Sequence, residues 1–536
     1  MVEGLDERIV RPKKTGYKHY EIVALAKGEA LHESGELLPL NEFIERLHTY
    51  PALILVKRNI ADFIAELNER FKSNPHWQVH STVREQDICL PGADFPVTHI
   101  KISTVIQWFG WYHNVFPTKN RTHHLALDPI VFTGKKLGDF WNIERTVIEE
   151  LLSFGITIRD WCRENNLSPK PTVGAISAQF LTDSRFYPDC RRKVSKYENK
   201  RARDNLPGNH YQLFVADNPK DEYQAIYLDQ RRAHHYHAEH TKLPNANTLY
   251  AFGRFLDLGD IFFPTVIPEF SGLYYLRIGI PETSPIRTYS PIAHEWTEES
   301  VDRFVWSNEV QLLRDLGYRI DGVIAAWGTD EPDTGLPKYA KWAQEELDHY
   351  SNPPWLKQIL LATYGVLAAR PRTREKIVTQ TSVKNAKQVV TFTGRNELHG
   401  LLVGATGKDK RIEPRIANVL QRGLIESATR AESLGCAHYL TYKGIRVLSI
   451  YADGIIVEDE GNTSLPFLPE PWRIQNHLHH LQFINKQAFI SGEVSKLPGV
   501  LDRTSYLQIA KSHRDVPVRM TYDILTGRAQ KTGRHI

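Results

Sequence analysis

The decapeptide IYADGIIVED, Ile450 to Asp459, sets an aspartate in the middle of a run that is otherwise apolar and β-branched. Its flanks, VLSI before and IIVE after, have the composition of buried strands. Asp-Gly between two such runs is a strong hairpin signal, because both residues tolerate positive φ in a tight turn. A turn gives Asp453 a purely structural role. The same turn would also hold a carboxylate rigidly at the end of a sheet, where a cation could meet it. Both readings stand on this segment alone.

The surroundings of that hairpin have to be large. A chain of 536 residues exceeds one hydrophobic core and implies three to four domains or subdomains. Apolar residues make up 41% and charged residues 24%, which is ordinary for a globular protein, and no repeat or low-complexity tract interrupts the pattern. No apolar run approaches the ~20 residues that span a bilayer. The opening segment MVEGLDERIVRPKK has no apolar signal core. The expectation is a cytoplasmic protein without a membrane partner. Cys89, Cys162, Cys190 and Cys436 are scattered with no CxxC pair, which disfavours a disulfide scaffold or zinc ribbon.

The net charge of +4 says little, but its distribution says more. Between Arg185 and Arg203 eight Lys/Arg face two acids, with Phe186, Tyr187 and Tyr197 interleaved. The C-terminal stretch from Ala510 is also basic. Such segments suit a nucleic-acid backbone, and equally a solvated face.

Helical spacing is expected over 40–50, 60–71 and 144–165, with strands at ALILV and THIKIS. A Pro/Ser-rich break follows at 165–172. HYQLFVA and YQAIYLD read as a hairpin joined by DNPKDE. Residues 298–316, Leu336–His349, Trp355–Ala369 and Arg415–Leu434 have helical spacing, and the prolines of SNPP suit a helix boundary. LPFLPEP is a second linker.

Two further segments matter. In AIYLDQRRAHHY, Asp229 ends an apolar strand, either as a helix cap or as a site residue. In KQILLATYG, Lys357, Leu361 and Tyr364 share one helical face and Gly365 allows close approach. Taken in order, Asp229, Lys357–Tyr364–Gly365 and Asp453 resemble the three polymerase motifs of family B DNA polymerases: a palm-strand aspartate, a fingers helix of the form Lys, six residues, Tyr-Gly, and a hairpin aspartate. The separations, from Asp229 to Lys357 and from Gly365 to Asp453, are similar to those of small phage and plasmid enzymes, many of them protein-primed. The resemblance covers residues 165 to 510.

The resemblance implies an α/β (α+β) right-hand polymerase with an antiparallel-sheet palm, helical fingers and a small thumb, preceded by a degenerate exonuclease-like domain. The implied boundaries are 1–165 for the N-terminal domain, 166–297 and 376–465 for the palm, 298–375 for the fingers and 466–536 for the thumb and basic tail. It implies a template-directed DNA polymerase of a phage or mobile element, acting in the host cytoplasm, with primer-template DNA, deoxynucleoside triphosphates and a terminal protein as partners. Two Mg²⁺ ions, with Mn²⁺ as a substitute, would be held by Asp229, Asp453 and the backbone of Gln230. Lys357, Tyr364, Gly365, His234, Arg232 and Lys341 would meet the nucleotide, and Arg191, Arg192, Lys193, Lys486 and Lys496 the DNA.

Mg²⁺ wants oxygen ligands, so two carboxylates are the minimal protein share, with triphosphate and water supplying the rest. A cation such as Lys357 would balance phosphate charge. Departures from the family pattern are Tyr451 at its first hairpin aspartate, Leu361 at an asparagine, His234 at the tyrosine that selects the sugar (Tyr236 serves if the turn is one step looser) and Phe489 at a later tyrosine. No Asp-x-Glu occurs ahead of Asp229, so no proofreading is expected. The adjacent histidines of THHLALDP cannot easily aim two rings at one ion from a strand, and HHYH is likewise disfavoured as a separate zinc site. A primase-like or reverse-transcriptase-like polymerase, and a catalytically inactive nucleic-acid-binding relative, are the alternatives.

Overall fold

The computed structural model describes residues 21–26, 29–39, 145–168, 173–188, 196–207, 222–252, 271–279, 300–369, 414–461, 465–485 and 488–492, together with short strands and a few single residues, Lys220 among them, outside these ranges. The chain divides into two compact units. The first comprises 1–196 and 345–417, and the second 197–344 and 418–536.

In the first unit a five-stranded sheet has the order His123–Leu127, Ala52–Val56, Glu21–Ala26, Glu29–His32, Leu37–Pro39. The first three strands are parallel and the last three antiparallel. The strands expected at ALILV and THIKIS form, as does the helix at Arg145–Glu164. The helices read at 40–50 and 60–71 lie almost wholly outside the described residues. A further helix, Pro354–Leu367, starts where SNPP predicts, with Pro354 in its first turn and Ser351 and Asn352 at positive φ just before. Its Trp355 packs edge-on against Trp161, ring centroids 5.7 Å apart. Ser177 Oγ donates to the Ile359 carbonyl.

Among the described residues the second unit contains two sheets, whose strands in chain order are β1 (Tyr211–Leu213), β2 (Tyr223–Gln230), β3 (Tyr250–Phe252), β4 (Ser271–Gly279), β5 (Ser300–Trp306), β6 (Arg319–Thr329), β7 (Val447–Tyr451), β8 (Gly454–Glu458), β9 (Trp472–Asn485), β10 (Ala488–Ile490) and β11 (Ser495–Lys496). One sheet has the order β1-β7-β8-β2-β9-β10-β11 and the other β3-β6-β4-β5, with every pairing antiparallel. The helices of this unit that bear on the site are α1 (Ala233–His240), α2 (Ser307–Asp315), α3 (Gly335–His349, inside which the division falls) and α4 (Val419–Tyr442); a further helix, Lys196–Asp204, begins at the division.

Strand β2 explains why YQAIYLD is apolar almost throughout: both faces are covered. Ile226 and Leu228 enter a core built with β4, α2 and α4, whereas Ala225 and Tyr227 pack with Leu448, Ile456, Leu478 and Phe489 on the other side. Four sequence expectations change here. First, β1 and β2 are not a hairpin, because β7 and β8 lie between them in the sheet. Second, 298–316 is strand β5 followed by α2; pairing with β4, reinforced by Arg277 to Asp302 at 2.9 and 3.0 Å, overrides the helical spacing. Third, the long helix begins at Val419 with Asn418 as its cap and runs on to Tyr442. Fourth, residues 472–490, expected to begin the thumb, extend the sheet that carries β2.

The hairpin at Asp453 is also shifted by one residue. Tyr451 pairs with Gly454, so the two-residue loop is Ala452–Asp453, and the positive φ (56°) belongs to Ala452. Gly454 is a strand residue for a different reason: a Cβ there would lie 2.5 Å from Tyr227 Cε2 and 3.0 Å from the Leu228 carbonyl oxygen. Among the described residues no helix is long and apolar enough to cross a membrane.

Helix α4 meets β5 at a second close approach. A Cβ on Gly423 would fall 2.0 Å from Trp306 Cη2, and that indole is 1% exposed and donates to the Asn205 carbonyl at 3.0 Å. Gly423→Ala is therefore expected to cost about 1–3 kcal/mol of stability through overpacking. An unchanged urea midpoint would show that the contact is slack.

Candidate active site

Asp229 is the penultimate residue of β2, opposite Gly454 of β8 on one side and Arg473 of β9 on the other. The next residue, Gln230, donates its backbone N–H to the Asp453 carbonyl oxygen at 2.9 Å. Two acids remote from each other in sequence thus occupy adjoining strand ends. For neighbouring antiparallel strands, a one-residue offset puts their Cα atoms about 6 Å apart. The Asp229 side chain is 15% exposed, with its Oδ2 3.6 Å from Arg473 Nη2. Asp453 is half-buried.

What holds these ends together is a buried polar network around the Gln230 side chain. Its Nε2 donates to the Thr429 carbonyl (3.1 Å) and to Ser433 Oγ (2.7 Å), and its Oε1 accepts from His237 Nε2 (2.7 Å). Ser433 Oγ also lies 3.0 Å from the carbonyl oxygen of Ala452, the strained turn residue. One amide therefore ties β2 to α1, to α4 and, through Ser433, to the Asp453 turn. Such a network is rigid because any broken member leaves a buried polar group unsatisfied. Burial, with the charge of His240 adding to it, pushes His237 down to about 4. Burial, with Arg422, His235 and His237 adding to it, pushes His234 down to about 3. Both rings are neutral at physiological pH.

The other expected site residues fall in several places. Arg232 adopts a left-handed conformation (φ 53°) between β2 and α1, and its Nη1 donates to the Gln344 carbonyl at 3.1 Å. Its guanidinium is partly committed to α3 and not wholly available to a nucleotide. His234, half-buried, is in the first turn of α1; Tyr236 stacks on His240 with centroids 4.3 Å apart. Lys341 is exposed on α3. Tyr451 packs edge-on against Phe489 at 5.9 Å, so an aromatic ring stands where the family pattern has a carboxylate. Lys357 and Gly365 are exposed on the Pro354–Leu367 helix of the first unit, and nothing lies within 4 Å of a Cβ built on Gly365. Tyr364 on the same helix is 0% exposed, so the stacking expected of it is not available in this conformation. Arg191–Arg192 and Lys496 lie in short strands of which only the backbone is described, and Lys193 and Lys486 lie outside the described residues.

Sequence reasoning missed Arg473, His237, Thr429 and Ser433. Only Gln230, an amide directly after the aspartate of an apolar strand, carried a signal. Among the described residues no group of three or more His, Cys, Asp or Glu converges on one point. The two carboxylates are hard oxygen donors at a shared sheet end, which suits a divalent cation that takes its remaining ligands from substrate and water.

The His237 shift has a signed consequence. Below about pH 6.5 the unfolded chain takes up a proton that folded His237 refuses until about pH 4. Stability should fall as pH drops through that window, by up to about 1.4 kcal/mol per pH unit for this group. Urea midpoints measured at pH 7 and pH 5 should converge in His237→Asn, and an identical pH slope in both proteins would disprove the assignment.

No protein-family model matches this sequence, and no curated protein matches it at sequence level. Solved structures do. Phi29 DNA polymerase complexed with primer-template DNA matches with a TM-score of 0.57 at 14% identity, over 91% of this chain and 94% of that one. The same enzyme with primer-template DNA and incoming nucleotides gives a TM-score of 0.59 at 12% identity, again over 91% and 94%. Its orthorhombic crystal form gives 0.57 at 12%. At these identities the likeness establishes the fold, and the chain has the fold seen in the phi29 DNA polymerase structures.

Proposed function

We propose that this chain is a template-directed DNA polymerase that adds nucleotides to a primer 3′-hydroxyl, with Asp229 and Asp453 as its catalytic carboxylates. The observation that carries the reading is the Gln230 N–H to Asp453 O bond, which joins two remote aspartates at one sheet end within a fold shared with a DNA polymerase. Phosphoryl transfer of this kind is mostly positioning and charge stabilisation. Two Mg²⁺ ions (or Mn²⁺), when bound, would activate the hydroxyl and stabilise the leaving pyrophosphate. Asp229 and Asp453 would hold them with the Gln230 backbone. Exposed Lys357 would carry phosphate charge, and neutral His234 would flank the sugar.

The finer assignments follow the same reading: a phage or mobile-element enzyme in the host cytoplasm, extending a primer hydroxyl carried either by a nucleic acid or by a terminal protein. The N-terminal domain, residues 1–165, would be exonuclease-like and without proofreading. Its central strand EIVALA supports this, since Ile22, Val23 and Ala24 are buried apolar residues and its one acid is Glu21.

Asp229→Asn and Asp453→Asn are each expected to lower Mg²⁺-dependent primer extension at least about a hundredfold. Near-normal incorporation by either variant would remove that carboxylate from the mechanism. Neither intact protein nor variant should trim an unpaired 3′ terminus. Metal-dependent trimming that survives Asp229→Asn would overturn the absence of proofreading and reveal a second metal site. The histidine at the sugar position favours weaker exclusion of ribonucleotides than a tyrosine gives, so parallel extension with dNTPs and rNTPs separates a DNA polymerase from a primase-like enzyme. Salt-sensitive DNA binding with no incorporation at all would instead indicate the inactive relative, the reading that Tyr451 favours.

A further inference from the structure

Arg473 forms an ion pair with one of the two aspartates, and no part of the proposed reaction uses it. It faces Asp229 across β2 and β9 in direct register. Its Nη2 is 3.6 Å from Asp229 Oδ2, and the arginine is 51% exposed against 15% for the aspartate. On the opposite edge of β2, Gly454 of β8 brings no charge, and beyond it Tyr451 of β7 brings a ring in place of an acid. Asp229, Asp453 and Arg473 together carry a formal charge of −1, where three carboxylates would carry −3.

Affinity for a divalent cation rises with the number of anionic ligands and falls when a like charge must be displaced. We propose that Arg473 is a tethered counter-cation for Asp229 that a divalent ion has to displace, so that the free protein binds metal weakly. This rests on the reading of Asp229 as a metal ligand, and it has a direct corollary. A nucleoside triphosphate brings its own negative charge, so metal loads together with the nucleotide rather than ahead of it. The half-exposed guanidinium has room to swing out when it is displaced, because its side chain is not packed into the core.

The test is Mn²⁺ binding to the full-length protein without nucleotide, read from the electron paramagnetic resonance signal of free Mn²⁺. Arg473→Gln should tighten binding roughly tenfold, whereas Arg473→Lys, which keeps the charge, should stay near the intact protein. Equal affinity in the intact protein and Arg473→Gln, including no measurable binding by either, overturns the proposal. The double variant Asp229→Asn/Arg473→Gln separates the two levels of the argument. Loss of the tightened binding supports both. Tightened binding that persists in the double variant places the ion elsewhere and overturns the role of Asp229 along with the pairing. If Asp229→Asn alone abolishes primer extension while Arg473→Gln leaves Mn²⁺ affinity unchanged, the polymerase reading survives and the arginine proposal fails. Circular dichroism melting of each variant checks that the fold is retained, which the exposure of Arg473 leads one to expect.

Discussion

The hydrogen bonds of Gln230 are the joint on which the site depends. Its backbone N–H fixes the Asp453 turn against the end of β2, and its side chain fixes that end against two helices. Removing the amide would leave the Thr429 carbonyl and His237 without this partner in a dry interior, which is far costlier than losing an exposed bond. The network also explains why a non-glycine residue can keep a left-handed backbone at Ala452. The surrounding bonds over-determine it.

Glycine serves this unit mostly by being small. Gly454 admits Tyr227, and Gly423 admits the Trp306 indole. Both contacts bring bulky aromatics against the backbone of an element that leads to the site, so steric fit and site geometry are coupled. Charge does similar work further out: Arg430 Nε meets the nearly buried Glu309 at 2.6 Å and joins α4 to α2, while Lys220 and Arg446 converge on Glu458 at 2.6 and 2.8 Å.

The local elements of the site were legible in the sequence. Strong apolar runs marked β2, β7 and β8, and prolines marked the start of the Pro354–Leu367 helix. What sequence could not express was adjacency. The hairpin reading of β1 and β2 failed because strand order depends on pairings with β7, β8 and β9, which come much later in the chain. The Asp-Gly turn shifted by one residue because Tyr227, from another strand, claims the space beside Gly454. The Lys357–Tyr364 face looked uniform by periodicity, yet packing buries one end and exposes the other. Arg473 sits two residues beyond a proline with no pattern of its own, and only register gives it meaning.

The position of β2 in its sheet bears on how the protein is made. This strand ends at Gln230, whereas its two neighbours, β8 and β9, begin only at Gly454 and Trp472. At a synthesis rate of about 5–20 residues per second, β2 waits on the order of 10–45 s on the ribosome with two bare edges and two apolar faces. A strand in that condition is a template for mispairing. The nascent chain thus has a built-in interval of vulnerability, and a chaperone that shields extended apolar segments would act during it.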